Sequence, residues 1–375
     1  MTTTSVLDVL EELIPTVVEP AAPDVDAHGT FPRAAVDALG RAGLLGLLSA
    51  PEVGGRGGSL ADAALVVRSL ARACGSTAMV VCMHYCATAV IEAHGPDDVR
   101  RAIAAGEHLS TLAFSESGSR SHFWAPLSTA SAEGDTVVLD ASKSWVTSAG
   151  EANSYVWTSR PTSGADGATL WLVPSDAPGL EVAAAFDGLG LRGNASSPVR
   201  ATGVRLPISA RLGDDGAGLD LALGIVLPVF QILNASCSLG LMDSGIAKAI
   251  THASGARLEH LDQTLADQPV VRLHLADMKN RADAADTLVA DAISALAAGR
   301  EDAPLRMLQS KAVAGATALD VLDLAMQVGG GAAFRKDIGI ERHFRDARAS
   351  AVMAPTVDAL GDFVGRALCG LPLFG

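Results

Sequence analysis

The sequence predicts an α+β chain in three parts: an N-terminal α-helical domain over residues 1–108, a central β-barrel or sandwich over 109–213, and a C-terminal four-helix bundle over 214–375. Three observations predict it. Apolar residues recur at helical spacing before about residue 108 and again after about 214. Short β-rich runs separated by turn residues fill the middle. All four tryptophans fall in that middle stretch. Hydrophobic residues make up 49% of the 375 and charged residues 19%, enough for a substantial core. Aromatics are only 4%, so that core is mostly Ala, Leu and Val, which suits close-packed helices.

The first part is carried by "FPRAAVDALGRAGLLGLL" and "SLADAALVVRSLARACGS", both with helical apolar spacing, the second with Ser59 as an expected N-cap. "PEVGGRGG" between them reads as a glycine-rich loop. "TAMVVCMHYCATAVIEAHG" reads as a buried helix ending at Gly95. In the middle, "HLSTLAFSE", "DTVVLDASKSWVTSA", "NSYVWTSR", "ATLWLVPSD" and "PVRATGVRLP" are strand-like runs with turns such as "EGD" and "TSGADG". In the last part, "QPVVRLHLADMKNRADAADTLVADAISALAAG" keeps helical spacing without a break, as a bundle helix does, and "APLRMLQSKAVAGATALDVLDLAMQ" follows, ending in "VGGG". Leu221 to Met242 carries no charge, but Pro228, Gln231, Asn234 and two serines argue for a buried helix pair rather than a membrane span.

A net charge of −14 offers no basic footprint, so nucleic acid is excluded as a partner class. The five cysteines form no CxxC pair and no metal-ligand spacing; they read as small buried hydrophobes, with no metal site expected. "MTTTSVLDVLEEL" has no basic n-region and contains acids, so it does not read as a signal peptide, and a soluble cytoplasmic protein without membrane association is expected.

Six motifs stand in one order along the chain. They are "FPRAAVDALGRAGLLGLLSAPEVGGRGG", "FSESGSRS" (Phe114 to Ser121), "KSWVTSAGEANSYVWTSR", "GLGLRGNASSPV", "ARLEHLDQTLADQPVVRLHLADM" and "QVGGGAAFRKDIGIERHFRDAR". Together they resemble the acyl-CoA dehydrogenase superfamily across nearly the whole chain. The second is similar to its Thr-Glu-Pro-Gly-x-Gly-Ser-Asp segment, the third to its Lys-x-Trp-Ile-Thr-Asn stretch, the fourth to its Gly-x-Arg-Gly-Ser turn. The fifth keeps an Arg and a Gln eleven apart, and the last resembles Gln-x-x-Gly-Gly followed by Arg-Asp.

The resemblance implies FAD as cofactor and an acyl thioester, on CoA or on a carrier protein, as substrate. It assigns Ser115 and Thr147 to the polar edge of the flavin ring, Trp145 to packing on it, and Ser121 to cofactor binding. Trp145 and Thr147, two apart, are expected on one strand face. Arg257, Gln268, Gln327, Gly330 and Gly331 would hold the pyrophosphate and adenosine half, often across a subunit interface, which implies a homodimer or homotetramer. A forked, permanently charged guanidinium and side-chain-free backbone suit that task. One departure is that His260-Leu261 stands where the family often has Phe-Gly after the Arg.

The resemblance also shows what is absent. Aligned on Arg345-Asp346, the family's Tyr-Glu-Gly-Thr motif falls on Met353-Ala354-Pro355-Thr356, so the glutamate that acts as base is Ala354, while Thr356 stands where a Thr approaches the flavin. The alternative base position, on an earlier helix, falls near Phe230 and Gln231, and the nearby Arg falls on Ile232. Gln has no useful basicity. His84, Gln231, Met353 and Ala354 are the expected substrate-pocket residues. His84 reads first as a satisfied core or pocket histidine; with Asp358 it is a candidate replacement base. Three functions follow: a flavin oxidoreductase of acyl thioesters with its base elsewhere, delivering electrons to a transfer partner; a flavin monooxygenase using O₂, which needs no α-proton base; and a base-less subunit of a mixed oligomer.

Overall fold

The computed structural model describes residues 5–119, 122 and 124–374. They form two compact units. The first comprises Met1–Val66, Met79–Gly188 and Arg192–Phe230; the second comprises Val67–Ala78, Leu189–Leu191 and Gln231–Gly375. The helix–β–helix order expected from the sequence is present.

Helices come first: α1 (Val6–Leu13), α2 (Glu19–His28), α3 (Arg33–Arg41), α4 (Leu60–Ala73), α5 (Gly75–His94) and α6 (Asp97–Ala104). Ser5 opens α1 with a capping box, its hydroxyl accepting the Asp8 N–H while Asp8 accepts the Ser5 N–H. Ser59 does the same before α4 with Asp62, as its position in the sequence predicts. Helix α5 is apolar all round and sits in the core, where the Tyr85 hydroxyl donates to the Leu44 carbonyl at 2.6 Å.

Eight strands follow within the first unit: β1 (Ser110–Ala113), β2 (Thr129–Glu133), β3 (Thr136–Val146), β4 (Ser154–Ser159), β5 (Thr169–Pro174), β6 (Leu180–Val182), β7 (Ser197–Pro207) and β8 (Arg211–Leu212). They make two four-stranded sheets, ordered β1-β4-β5-β8 and β2-β3-β7-β6. β1 and β4 run parallel; every other pair is antiparallel. One buried cluster joins the sheets: Val137, Leu139, Val199, Val204 and Leu206 from one, Tyr155, Trp157, Trp171 and Val173 from the other. The arrangement is a sandwich. Trp171 satisfies its indole by donating to the Ser159 hydroxyl at 2.8 Å.

The uncharged stretch from Leu221 to Met242 is one helix, not the expected pair. Short α7 (Gly218–Leu221) passes through a π-helical turn, Ala222–Val226, into α8 (Leu227–Gly255). Proline lacks an N–H and clashes with the preceding turn. The widened turn ends just before Pro228, which occupies the second position of α8, so the rod continues. Two-residue strands β9 (Arg257–Leu258) and β10 (Gln263–Thr264) form a hairpin before α9 (Pro269–Ala298), α10 (Ala303–Gly329), α11 (Ile340–Val352) and α12 (Val357–Leu368). Helix α10 packs on α9, α11 and α12. Helix α8 approaches α10 so closely at Gly245 that a Cβ there would lie 2.3 Å from Leu322 Cδ2. Gly75–His94, Gly218–Gly255 and Ala303–Phe334 are long and apolar enough to cross a bilayer, and 78%, 83% and 44% of their apolar windows are buried in protein.

Candidate functional site

Strand β3 ends irregularly. Its register against β7 shifts between Lys143 and Val146, and Trp145 there has φ 55°. The bulge inserts a residue and breaks the period of two. Trp145 and Thr147 therefore do not share a face: Trp145 is 61% exposed and Thr147 is 3% exposed. The exposed indole stacks on Phe186, with ring centroids 4.1 Å apart and planes tilted by 30°. Thr147 Oγ1 lies 3.5 Å from Ser196 Oγ. Ser148, at φ 58°, buries a hydroxyl that has no partner among the described residues. Ser115 is half-buried beside this segment, its carbonyl accepting the Ser144 N–H at 2.9 Å. Ser121 lies outside the described residues.

Behind the segment is an ion pair that sequence reasoning missed. Lys143 Nζ donates to Glu116 Oε1 at 2.5 Å and to the carbonyl and hydroxyl of Thr158 at 2.7 and 2.8 Å. Glu116 also accepts the Leu127 and Ser128 N–H groups and the Ser128 hydroxyl. Both side chains are buried. Burial works to raise the Glu116 carboxyl, but the Lys143 charge and these hydrogen bonds overcome it and hold it below the usual carboxylate range. Burial lowers Lys143 despite the carboxylate beside it. The pair fixes the Ser115–Ser117 strand edge to β3, where the Ser117 N–H also donates to the Ser142 carbonyl at 3.0 Å. Lys143 was visible in the Lys-x-Trp stretch and Glu116 in "FSES"; their pairing was not.

His84 is wholly buried in the first unit. Its Nε2 lies 3.1 Å from the Leu45 carbonyl, and Nδ1 accepts the Ser110 N–H at 3.1 Å. Both nitrogens are thus committed to backbone. Burial pushes the imidazole down to about 4, so it is neutral at pH 7. It ties α5 to the start of β1 and has no vacant lone pair for a substrate proton.

In the second unit, α11 ends at the Met353–Thr356 segment. Lys311, on α10, is fully buried and donates to three carbonyls: Ser350 at 3.0 Å, Met353 at 3.1 Å and Pro355 at 2.7 Å. An ammonium suits the carbonyl-rich C-terminal end of a helix. From α8, Asn234 Oδ1 accepts the Ser350 hydroxyl at 2.7 Å, and Asn234 Nδ2 donates to Met353 Sδ at 3.4 Å. Ala354 is half-buried and joined to Pro355 by a cis peptide. The Thr356 hydroxyl caps α12, accepting the Ala359 N–H at 3.2 Å. Asp358, in the first turn of α12, is exposed, as an acid complementing a helix N-terminus is. Gln231 is buried with both amide heteroatoms unpartnered among the described residues.

Arg257 stands on β9 rather than on a helix and pairs with Asp262 in the solvent. Gln268 precedes α9, its amide donating to Gln263 Oε1 at 2.9 Å. Gln327 is exposed in the last turn of α10, and its carbonyl accepts the Gly330 N–H. Gly330 has φ 51° and ψ −137°, a conformation essentially confined to glycine, and Gly331 has open space where a Cβ would be. This is bare backbone that a bulky ligand can approach. Arg345 and Asp346 lie in mid-α11: Asp346 accepts the Leu191 N–H at 2.6 Å, and Arg345 donates to the Leu189 carbonyl and pairs with Glu341.

The sequence matches the acyl-CoA dehydrogenase N-terminal domain over residues 2–106, the middle domain over 111–204 and the C-terminal domain over 216–368. The chain belongs to the acyl-CoA dehydrogenase family. It is 29% identical over 345 residues to the mitochondrial short-chain specific acyl-CoA dehydrogenase of Homo sapiens, covering 90% of this chain and 82% of that one. Its fold matches butyryl-CoA dehydrogenase from Megasphaera elsdenii with a TM-score of 0.91, at 22% identity over 97% of each chain. It matches the prolyl acyl carrier protein oxidase AnaB with a TM-score of 0.88, at 18% identity over 97% of this chain and 98% of that one.

As an acyl-CoA dehydrogenase family member, the chain is a flavin oxidoreductase of acyl thioesters, with FAD as cofactor. Each unit by itself offers features that suit that group. In the first, an exposed indole at a bulge offers an aromatic face, and the buried Ser148 hydroxyl has no partner among the described residues. In the second, Gly330–Gly331 offers bare backbone.

Proposed function

We propose that the chain oxidises an acyl thioester without a carboxylate base at position 354. Bound FAD would supply the hydride acceptor. Trp145, Ser115, Thr147 and Ser148 would hold the flavin ring, and Gly330, Gly331, Gln327, Gln268 and Arg257 its phosphate and adenosine half. The Met353–Thr356 segment would wall the acyl site, held rigid by Lys311 and Asn234. The observation that carries the reading is the turn at Ala354: Lys311 pins it through the carbonyls of Ser350, Met353 and Pro355, and it carries a methyl group and no carboxylate. The β-hydride would go to FAD and the α-proton to a base other than residue 354; His84 has both nitrogens committed to backbone, which leaves Asp358, exposed on α12, as the candidate acceptor. CoA or a carrier protein would carry the acyl group, an electron-transfer partner would reoxidise the flavin, and the working form would be a homodimer or homotetramer.

Ala354→Glu tests this. On a turn pinned by three carbonyl contacts, a new carboxylate has a defined place. Dehydrogenation of straight-chain acyl-CoA should rise at least tenfold, with FAD content unchanged. No gain with FAD still bound would count against an acyl-CoA-shaped site. The same methyl group favours a second reading, oxygenation by the flavin and O₂, which needs no proton acceptor there. NAD(P)H-dependent O₂ uptake with no bleaching by thioesters would select it.

A further inference from the structure

Two facing segments of the first unit carry an unusual concentration of backbone conformations. Trp145 and Ser148 at the end of β3, and Ala195 opposite them, have φ of 55°, 58° and 50°. Residues with a Cβ adopt this region at a cost, and such residues gather where function over-determines the backbone. The segments are laced together. The Ser148 N–H donates to the Asn194 carbonyl at 2.9 Å, the Phe186 N–H to the Ser196 carbonyl at 2.9 Å, and the Ala183 N–H to the Pro198 carbonyl at 3.0 Å. Asn194 Oδ1 also accepts the Ser196 N–H at 3.1 Å.

This lacing presents two large rings to each other. Phe186 lies against Trp145 at 4.1 Å, yet Trp145 remains 61% exposed. The pair is therefore not part of the sandwich core, whose aromatic members Tyr155, Trp157 and Trp171 are fully buried. An aromatic pair left open on a strained backbone is a half-built wall.

We propose that Phe186 is a positioning residue of the cofactor site. Its ring backs one face of the Trp145 indole and sets the indole's angle, leaving the other face for the flavin ring. Nothing in the six family-like motifs singled out Phe186, which lies just ahead of "GLGLRG". The proposal rests on the reading of Trp145 as a flavin contact.

The test compares Phe186→Ala, Phe186→Leu and Phe186→Tyr in the full-length chain. FAD affinity is measured on deflavinated, reconstituted protein, and Trp145 emission is isolated as the difference from a Trp145→Phe background. Aromatic pairs contribute enough to predict three- to tenfold weaker FAD binding in the Ala and Leu variants and near-normal binding in the Tyr variant. The apoprotein emission of Trp145 should change in the same two variants. Thermal melts confirm that each is folded. A Leu variant with wild-type affinity overturns the proposal, as does altered emission with unaltered affinity. A wild-type chain that binds no FAD overturns the flavin reading itself.

Discussion

Replacing Lys311 with methionine should weaken the second unit and loosen the turn at Ala354. Methionine keeps the length of the apolar stem and removes only the ammonium. That fully buried ammonium donates hydrogen bonds of 3.0, 3.1 and 2.7 Å to Ser350, Met353 and Pro355. The Ser350 carbonyl lies in the last turn of α11, and the Met353 and Pro355 carbonyls lie beyond the helix end, where carbonyls depend on outside donors. Three such bonds at about 1–1.5 kcal/mol net each give roughly 3–4.5 kcal/mol. Removing a buried charge returns part of its desolvation cost, so about 3 kcal/mol of destabilisation is expected. Urea unfolding gives the total. Amide exchange of Val357–Leu360, the first turn of α12, reads the local effect and should accelerate well beyond the global change. A loss under about 0.5 kcal/mol, with exchange unchanged, would refute the idea that Lys311 holds this turn.

Three further outcomes follow from other buried groups. His84 has its pKa depressed in the folded chain to about 4 by burial, so its contribution is complete above the unfolded value near 6.5 and is lost as pH falls toward 4. Between pH 7.5 and 4.5 this one group should cost about 2.5 kcal/mol, and His343, lowered chiefly by burial, steepens the same limb; a His84→Asn variant in which urea unfolding keeps the full slope would contradict this. Glu116→Ala strands the Lys143 ammonium and should cost about 3–5 kcal/mol, with a paired Glu116→Met, Lys143→Met variant recovering much of it by the same measurement. Gly245→Val drives a side chain into Leu322 and should lower stability by about 1–3 kcal/mol, where Gly245→Ala costs less; equal melts for all three chains would remove the close approach of α8 and α10 from the account.

The long elements were legible because helical and strand periodicities survive in one sequence. Helices α5, α9 and α10 and the strands of the sandwich stand where their apolar spacing places them. Local exceptions were not legible. Pro228 reads as a break, but a π-helical turn absorbs it. The spacing of Trp145 and Thr147 reads as one face, but a bulge separates them, and no residue type there announces it. Long-range polar pairing was hidden as well. Lys311 meets carbonyls 39 to 44 positions away, and His84 is satisfied by backbone 39 and 26 positions away.

Anaerobic titration of the FAD-loaded chain with acyl-CoA and acyl-carrier-protein thioesters tests the central claim most directly. The account predicts that the visible flavin band bleaches with one class of thioester, and bleaches faster in Ala354→Glu when that thioester is a straight-chain acyl-CoA. A yellow protein that no thioester bleaches, but that consumes O₂ when a reductase and NAD(P)H are supplied, would contradict it.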